Sequence, residues 1–336
     1  MTGILITGAS GFLGRKLYDT LKAVGDMPVY GTYLTKPQEG LISLDITDPE
    51  QVREVLNRTK PDIIIHAAAM ASVDICEQRQ EEAYNANVTG TRNLVRNLVS
   101  HADGCTFVFI STDYVFDGSK GSYTEEDAPN PINHYGKTKL EAERAVLAYS
   151  RSLVVRVSSL YGYNPHGVNH GFVHFVISNL SSGKQVRAFY DQINCPTLID
   201  DIAPAILKLL RKKKTGLFHL CGPKALSRAD IALETANEFK LKASLIERVS
   251  IERLSFRQSQ TGGKTNLEKM RGDRSFSEQT RPVTGGVSEH FDTSKQPAER
   301  PRNSSLDTSR IRAEGIVMHG FKAGLKIMRE QMACAI

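Results

Sequence analysis

The chain of 336 residues has no tryptophan, only five cysteines, and no apolar run near the roughly 20 residues of a membrane-spanning helix. A membrane helix is not expected. The cysteines (Cys76, Cys105, Cys195, Cys221 and Cys334) are odd in number and include no Cys-x-x-Cys pair, which argues against a disulfide framework or a cysteine zinc site. Residues 1–6 lack both the basic start and the long apolar stretch of a secretory signal, so a cytoplasmic location is expected. An excess of one charge is also missing. The 43 lysines and arginines face 37 acids, mostly interleaved, for a net charge of +6, and nucleic acid is not an expected partner. The one dense basic run, 211–214, follows an apolar helical stretch and reads as a solvated helix end that complements the dipole. His166, His170 and His174 have no carboxylate or cysteine to complete a ligand set, and no metal is expected.

What the chain does have is alternation. Residues 4–7, 29–33, 62–66, 106–111 and 153–157 are apolar runs of strand length, the pattern of strands covered on both faces. Amphipathic stretches lie between them, at 12–24, 50–57, 81–100 and 135–150. Such alternation predicts an α/β fold: a doubly wound parallel sheet with right-handed crossovers, the Rossmann arrangement. That domain is expected over 1–157 with parts of 185–222. Beyond Val157 the loops lengthen, with helices expected near 173–180, 200–213, 228–240 and 321–332. A smaller C-terminal substrate-binding lobe is assigned to 158–184 and 223–336. Within it, 256–300 stands apart, because only eight of its 45 residues are apolar. Too polar to build a core, it is expected to be a mobile surface insertion.

The first strand runs into Thr7-Gly8-Ala9-Ser10-Gly11-Phe12-Leu13-Gly14, a G-x-x-G-x-x-G loop that opens a helix. Gly8 permits the tight turn, Gly11 lets backbone approach a pyrophosphate, and Gly14 seats the helix against the strand. The first amides of that helix would face the phosphates. In the first βα turn of a βαβ unit, the loop predicts dinucleotide binding. An acid for the ribose 2′-hydroxyl belongs about 20 residues further on. The chain has Gly31-Thr32-Tyr33-Leu34-Thr35-Lys36 there, with no carboxylate before Glu39. A hydroxyl and a lysine suit a 2′-phosphate, so NADP(H) is the preferred cofactor and NAD(H) the alternative, with Lys36 then a plain loop cation. Asp45-Ile46 follows a third short apolar run, where an acid reaches the adenine amine; the adjoining Thr47-Asp48-Pro49-Glu50 reads equally well as a helix cap.

Tyr135 and Lys139 are four apart on a helix and share a face. Upstream, a buried-type strand ends in Ser111-Thr112-Asp113-Tyr114-Val115-Phe116-Asp117-Gly118, which brings a hydroxyl to the C-terminal sheet edge, where open α/β folds bind ligands. A phenol, with a pKa of about 10, is a poor acid–base catalyst unaided. An ammonium one helical turn away, with the cofactor's positive charge, favours the phenolate and makes Tyr135 a usable proton donor. Asp74 and Glu77 form an i, i+3 pair that reads as a solvated helix face, with a substrate role as the alternative.

These segments resemble the extended short-chain dehydrogenase/reductases, specifically the dTDP-4-dehydrorhamnose reductase family. The resemblance is carried by residues 7–14, 66–69 with Val73-Asp74, 87–91, 111–118, 135–139, Asp191-Gln192 with Pro196-Thr197, 219–222 with Ser227-Arg228, and Arg300-Pro301 with 304–307. It implies reduction of a 4-keto group on a nucleotide-linked 6-deoxysugar, as in dTDP-L-rhamnose formation. Thr112 would bind the carbonyl oxygen, Tyr135 would protonate it, and Lys139 would hold the nicotinamide ribose. The cofactor set implied is Gly8, Ser10, Gly11, Phe12, Leu13, Gly14, Thr32, Tyr33, Lys36, Asp45, Ile46, His66, Ala67, Ala68, Ala69, Asn87, Tyr135 and Lys139. A nucleotide sugar is the implied partner, and a homodimer is allowed for. Where bacterial members carry a tryptophan bordering the sugar, this chain has Ser159, so its sugar pocket is expected to differ. Leu160-Tyr161-Gly162 is also similar to the regulatory β subunit of methionine adenosyltransferase, a non-catalytic binding partner. That is the alternative reading, with a nucleotide-sugar epimerase or dehydratase as the third.

Overall fold

A computed structural model describes residues 3–101, 104–166, 169–251 and 297–335. Its centre is a seven-stranded parallel sheet. The strands are β1 (Ile4–Thr7), β2 (Val29–Tyr33), β3 (Leu41–Ser43), β4 (Ile63–His66), β5 (Thr106–Thr112), β6 (Ser152–Val157) and the edge strand Gly216–His219. Across the sheet they run Gly216–His219, β6, β5, β4, β1, β2, β3. The order reverses at β1, so the loops after β1 and β4 diverge and open a crevice at the C-terminal edge.

Helices cover both faces because the strands are apolar on both. On one side α1 (Phe12–Val24) and α8 (Ile202–Arg211) bury Leu17, Leu21, Ile202 and Ile206 against Ile6, Val108 and Val155. On the other, α2 (Pro49–Thr59), α5 (Gly90–His101) and α6 (His134–Leu147) pack Val52, Leu94 and Val146 on Ile64, Phe107 and Val154. Local chemistry sets the ends. Asp48 accepts bonds from the amides of Glu50 and Gln51 with Pro49 in the first turn, Asn133 caps α6 through the Gly136 amide, and α1 stops at Gly25 with φ 73°.

The long helix expected over 81–100 is interrupted. It comprises α4 (Gln80–Tyr84), a π-helical turn (Asn85–Thr89) and α5. The wider turn sets Asn87 facing inward, where its side chain bonds both backbone atoms of Met70 (2.8 and 3.1 Å) and the Thr138 hydroxyl (3.0 Å). Hydrophobic periodicity carries no sign of such a bulge. The edge strand Gly216–His219 was also not anticipated, since only Leu217 and Phe218 are apolar in it.

The smaller lobe is built on α7 (Phe172–Ser181), α9 (Arg228–Glu238) and the helix Phe321–Ala333, with a parallel pair Val186–Phe189 and Ile246–Val249. Of the polar stretch expected as a mobile insertion over 256–300, most lies outside the described residues. Its last part does not behave as a surface insertion: Ala298 is 6% exposed and Arg300 pairs with Asp74. Residues 297–308 form a strap that bonds in succession to Asn133, Gly118, Ile193 and Tyr123. No helix among the described residues is long and apolar enough to cross a membrane.

Candidate active site

The glycine loop has the shape of a cradle for a diphosphate. A Cβ on Gly14 would stand 2.0 Å from the Gly8 carbonyl oxygen, and one on Gly8 would meet the Ala68 backbone at 2.7 Å. Side chains at these positions would fill the space that backbone now encloses. No side chain caps the N-terminus of α1 at Gly11, so the amides of its first turn remain for an anion. Ser10 and Gly11 are half-buried at the loop's rim, while Phe12 and Leu13 turn into the core. Ala67 and Ala68 lie against the loop, close to Gly8.

Thr32, at the end of β2, accepts a long bond of 3.3 Å from the Gly8 amide, which ties the second strand to the loop. Tyr33 is half-buried and Lys36 exposed beside it. Arg15 reaches the same corner: its guanidinium bonds Gln38 at 3.3 Å and pairs with Asp19 at 3.0 Å. A basic residue just past the last glycine carries only a helix signal, so nothing in the local sequence marks Arg15 as reaching this corner. Asp45 spends one carboxylate oxygen on the Thr47 amide and hydroxyl (2.8 and 2.7 Å), and Ile46 is buried.

His66 sits deeper than a cofactor-facing role requires. Its ring bonds Thr7 at 2.6 Å and Thr91 at 3.0 Å, and Thr91 donates to the Asn87 carbonyl. Because Thr91 uses its proton on that carbonyl, the network assigns Nε2–H as donor and Nδ1 as acceptor. Burial, aided by Lys139, pushes its pKa down to about 3, so the ring is neutral. Only its main chain is left for a ligand, and Asn87 is likewise engaged within the fold.

Thr112, Tyr135 and Lys139 do converge. A Cβ on Gly136 would lie 2.1 Å from the Tyr114 carbonyl, so α6 starts pressed against the turn after β5, and Tyr135 is carried to the side of Thr112. The Tyr135 ring meets Tyr114 edge-to-face at 6.3 Å. One turn on, the Lys139 ammonium rests 4.0 Å from the centre of the Phe109 ring.

The electrostatics differ from the expectation of a lysine-stabilised phenolate. Burial first, then Cys76 and Asp113, push the Tyr135 phenol above its ordinary range, with Thr112 opposing. Burial also lowers Lys139 to about 7, although Glu143 and Cys76 oppose it. A lysine half-deprotonated at neutral pH lends only part of its charge, and the phenol keeps its proton. Behind Lys139, Glu143 holds Arg156 through two bonds of 2.9 and 2.7 Å and accepts from Ser111. Asp113 is 3% exposed and takes bonds from Ser158 (2.9 Å) and Ser304 (2.6 Å), joining β5, the β6 end and the strap.

Asp74 and Glu77 are not a solvated face. Asp74 binds the Arg300 guanidinium at 2.6 Å and the Ala298 amide at 2.9 Å, and Glu77 accepts the His134 amide at 2.9 Å. Asp191 shapes its loop by accepting from Ser250 and the Ile251 amide. His174 bonds the Gly162 carbonyl and His166 pairs with Asp19, so these histidines brace the fold beside α1.

A Rossmann sheet with a glycine cradle at β1 and a Thr/Tyr/Lys set at the β5 edge defines a dinucleotide-binding protein of the short-chain dehydrogenase/reductase type. More narrowly, residues 1–334 match the RmlD substrate binding domain model, and the chain belongs to that family. It is similar to methionine adenosyltransferase 2 subunit beta of Bos taurus, 29% identical over 96% of this chain and 86% of that one. It is also similar to the probable low-salt glycan biosynthesis reductase Agl14 of Haloferax volcanii, 35% identical over 72% of this chain and 82% of that one. Among solved structures, a dTDP-4-dehydrorhamnose reductase from Clostridium acetobutylicum superposes with a TM-score of 0.78 at 29% identity, covering 98% of this chain and 99% of that one. The Bacillus anthracis enzyme of the same name, in complex with NADP, gives 0.77 at 27% identity over the same shares.

Proposed function

We propose that the chain is an NADP(H)-preferring oxidoreductase that reduces the 4-keto group of a nucleotide-linked 6-deoxysugar. The observation that carries this reading is the placement of Tyr135 beside Thr112 at the sheet edge, with Lys139 one turn further along α6. The glycine cradle and the uncapped start of α1 fit a dinucleotide diphosphate. When bound, the nicotinamide supplies hydride. Thr112 orients the carbonyl oxygen, Tyr135 gives that oxygen its proton, and Lys139 holds the ribose. The phenol holds the proton that the carbonyl oxygen receives, and its raised pKa makes it a weaker acid than a free phenol. Replacing Tyr135→Phe is expected to lower turnover by about 10²-fold or more with cofactor affinity nearly unchanged, read by NADPH absorbance with a panel of nucleotide ketosugars. Unchanged turnover would remove the assignment.

The cofactor preference rests on Arg15 and Lys36, two cations at the β2 corner with no carboxylate between Gly31 and Lys36. Arg15→Ala is expected to weaken NADPH binding by about tenfold and leave NADH nearly unaffected, because only the former carries the 2′-phosphate. Equal losses for both would point to a structural role.

The Bos taurus relative, matched along 96% of this chain, favours one second reading: a cofactor-binding regulatory subunit. Recovery of a stoichiometric methionine adenosyltransferase, together with inactivity toward every ketosugar, would replace the first reading by this one.

A further inference from the structure

Arg228 opens α9 at the rim of the same cleft. Its guanidinium lies 4.8 Å from the centre of the Phe172 ring and gives one bond, from Nη1 to Ser159 Oγ at 3.3 Å. Stacking and that bond hold the group flat, and most of the five N–H donors of a guanidinium are left over. Among the described residues no carboxylate pairs with it; the acid that feels its charge is Asp113, the neighbour of Thr112. Ser159, which receives the bond, holds a left-handed backbone with φ 43°, a conformation that costs a non-glycine residue energy and gathers at ligand sites.

A second observation falls beside it. Gln192 leads into a short antiparallel pairing in which Ile193 faces Ser227 and Asn194 faces Leu226, and the Arg228 amide donates to the Gln192 carbonyl at 2.9 Å. Gln192 is 4% exposed and Asn194 1%, yet Gln192 Nε2 and both amide atoms of Asn194 have no hydrogen-bond partner among the described residues. Buried amides are seldom left unpaired, since each forfeits its water without recompense. A preset cation next to unsatisfied buried amides, at the edge that carries Thr112, has the makings of a subsite.

We propose that Arg228 grips an anionic phosphate oxygen of the substrate, in a subsite walled by Gln192 and Asn194. Only the identity of the substrate rests on the reductase reading; the subsite itself does not. The test is calorimetric titration of dTDP into NADPH-saturated protein, alongside KM and kcat for a nucleotide ketosugar, in wild type, Arg228→Gln and Arg228→Lys. Arg228→Gln is expected to weaken dTDP by about tenfold to a hundredfold, with Arg228→Lys recovering part of the loss. An unchanged dTDP affinity with a raised KM would place the contact away from the diphosphate and overturn the proposal. Unaltered dTDP affinity and KM in Arg228→Lys and Arg228→Gln overturn the proposal, as does a wild type that binds neither probe. A wild type that binds dTDP through Arg228 but reduces no ketosugar removes the reductase reading and keeps the subsite.

Discussion

Two walls enclose the cleft, and each carries a carboxylate–arginine pair. On the wall made by α6 with β5 and β6, Glu143 and Arg156 are 13 residues apart and their side chains are 1% and 3% exposed. On the strap wall, Asp74 and Arg300 are 226 residues apart and 19% and 30% exposed. The buried pair is bidentate, with Ser111 also satisfying the carboxylate, as desolvated charges require. The outer pair keeps contact with water, where an ion pair contributes little. The difference assigns the walls separate duties. The α6 wall fixes where Tyr135 and Lys139 stand, and the strap wall ties Ala298 and Arg300 to Asp74.

That contrast can be broken most forcefully at Glu143. Changing Glu143→Gln strands the Arg156 guanidinium inside the sheet and is expected to cost about 3–5 kcal/mol in chemical denaturation. A loss no greater than that of the outer pair would erase the distinction between the walls. A second probe is pH. Lys139, lowered to about 7 chiefly by burial with Glu143 opposing, is charged below that pH and loses its proton as pH rises through it. The hold on the ribose proposed for it would be present on the acid side and lost on the alkaline side. kcat/KM, which reports the free enzyme, is expected to fall along an alkaline limb near pH 7, and Lys139→Met should abolish the limb. A flat wild-type profile from about pH 6 to about pH 9 would contradict this charge state. The smallest effect is expected at Asp74→Asn, with a stability loss of about 1 kcal/mol or less. Its KM for the ketosugar should rise while kcat holds, which steady-state kinetics would read.

The two walls were also unequally legible from sequence. The α6 wall is built from residues close together along the chain, so strand pattern, glycine spacing and the Tyr135–Lys139 interval placed it; β5 begins where expected and ends one residue later, while α6 begins one residue early and stops three short. The strap wall depends on contacts between positions far apart. Nothing in the local pattern around Asp74 or Arg300 says that they meet, and the polar composition that marked 256–300 as an insertion was no guide to where packing resumes. Arg15 and Arg228 were invisible as site residues for a related reason: each sits in a helix's first turn, where a basic residue reads as surface. Residue spacing is also silent on burial, which raises the pKa of the Tyr135 phenol and lowers that of Lys139.

The Ser304–Asp113 bond joins positions 191 residues apart, with the earlier partner next to Thr112. During translation the nucleotide-binding crevice therefore emerges well before the piece that finishes its opposite side. A nascent chain halted short of residue 304 would already display the cradle, but with Asp113 missing one of its two serine donors, a burden that a chaperone or the ribosome surface would have to shelter.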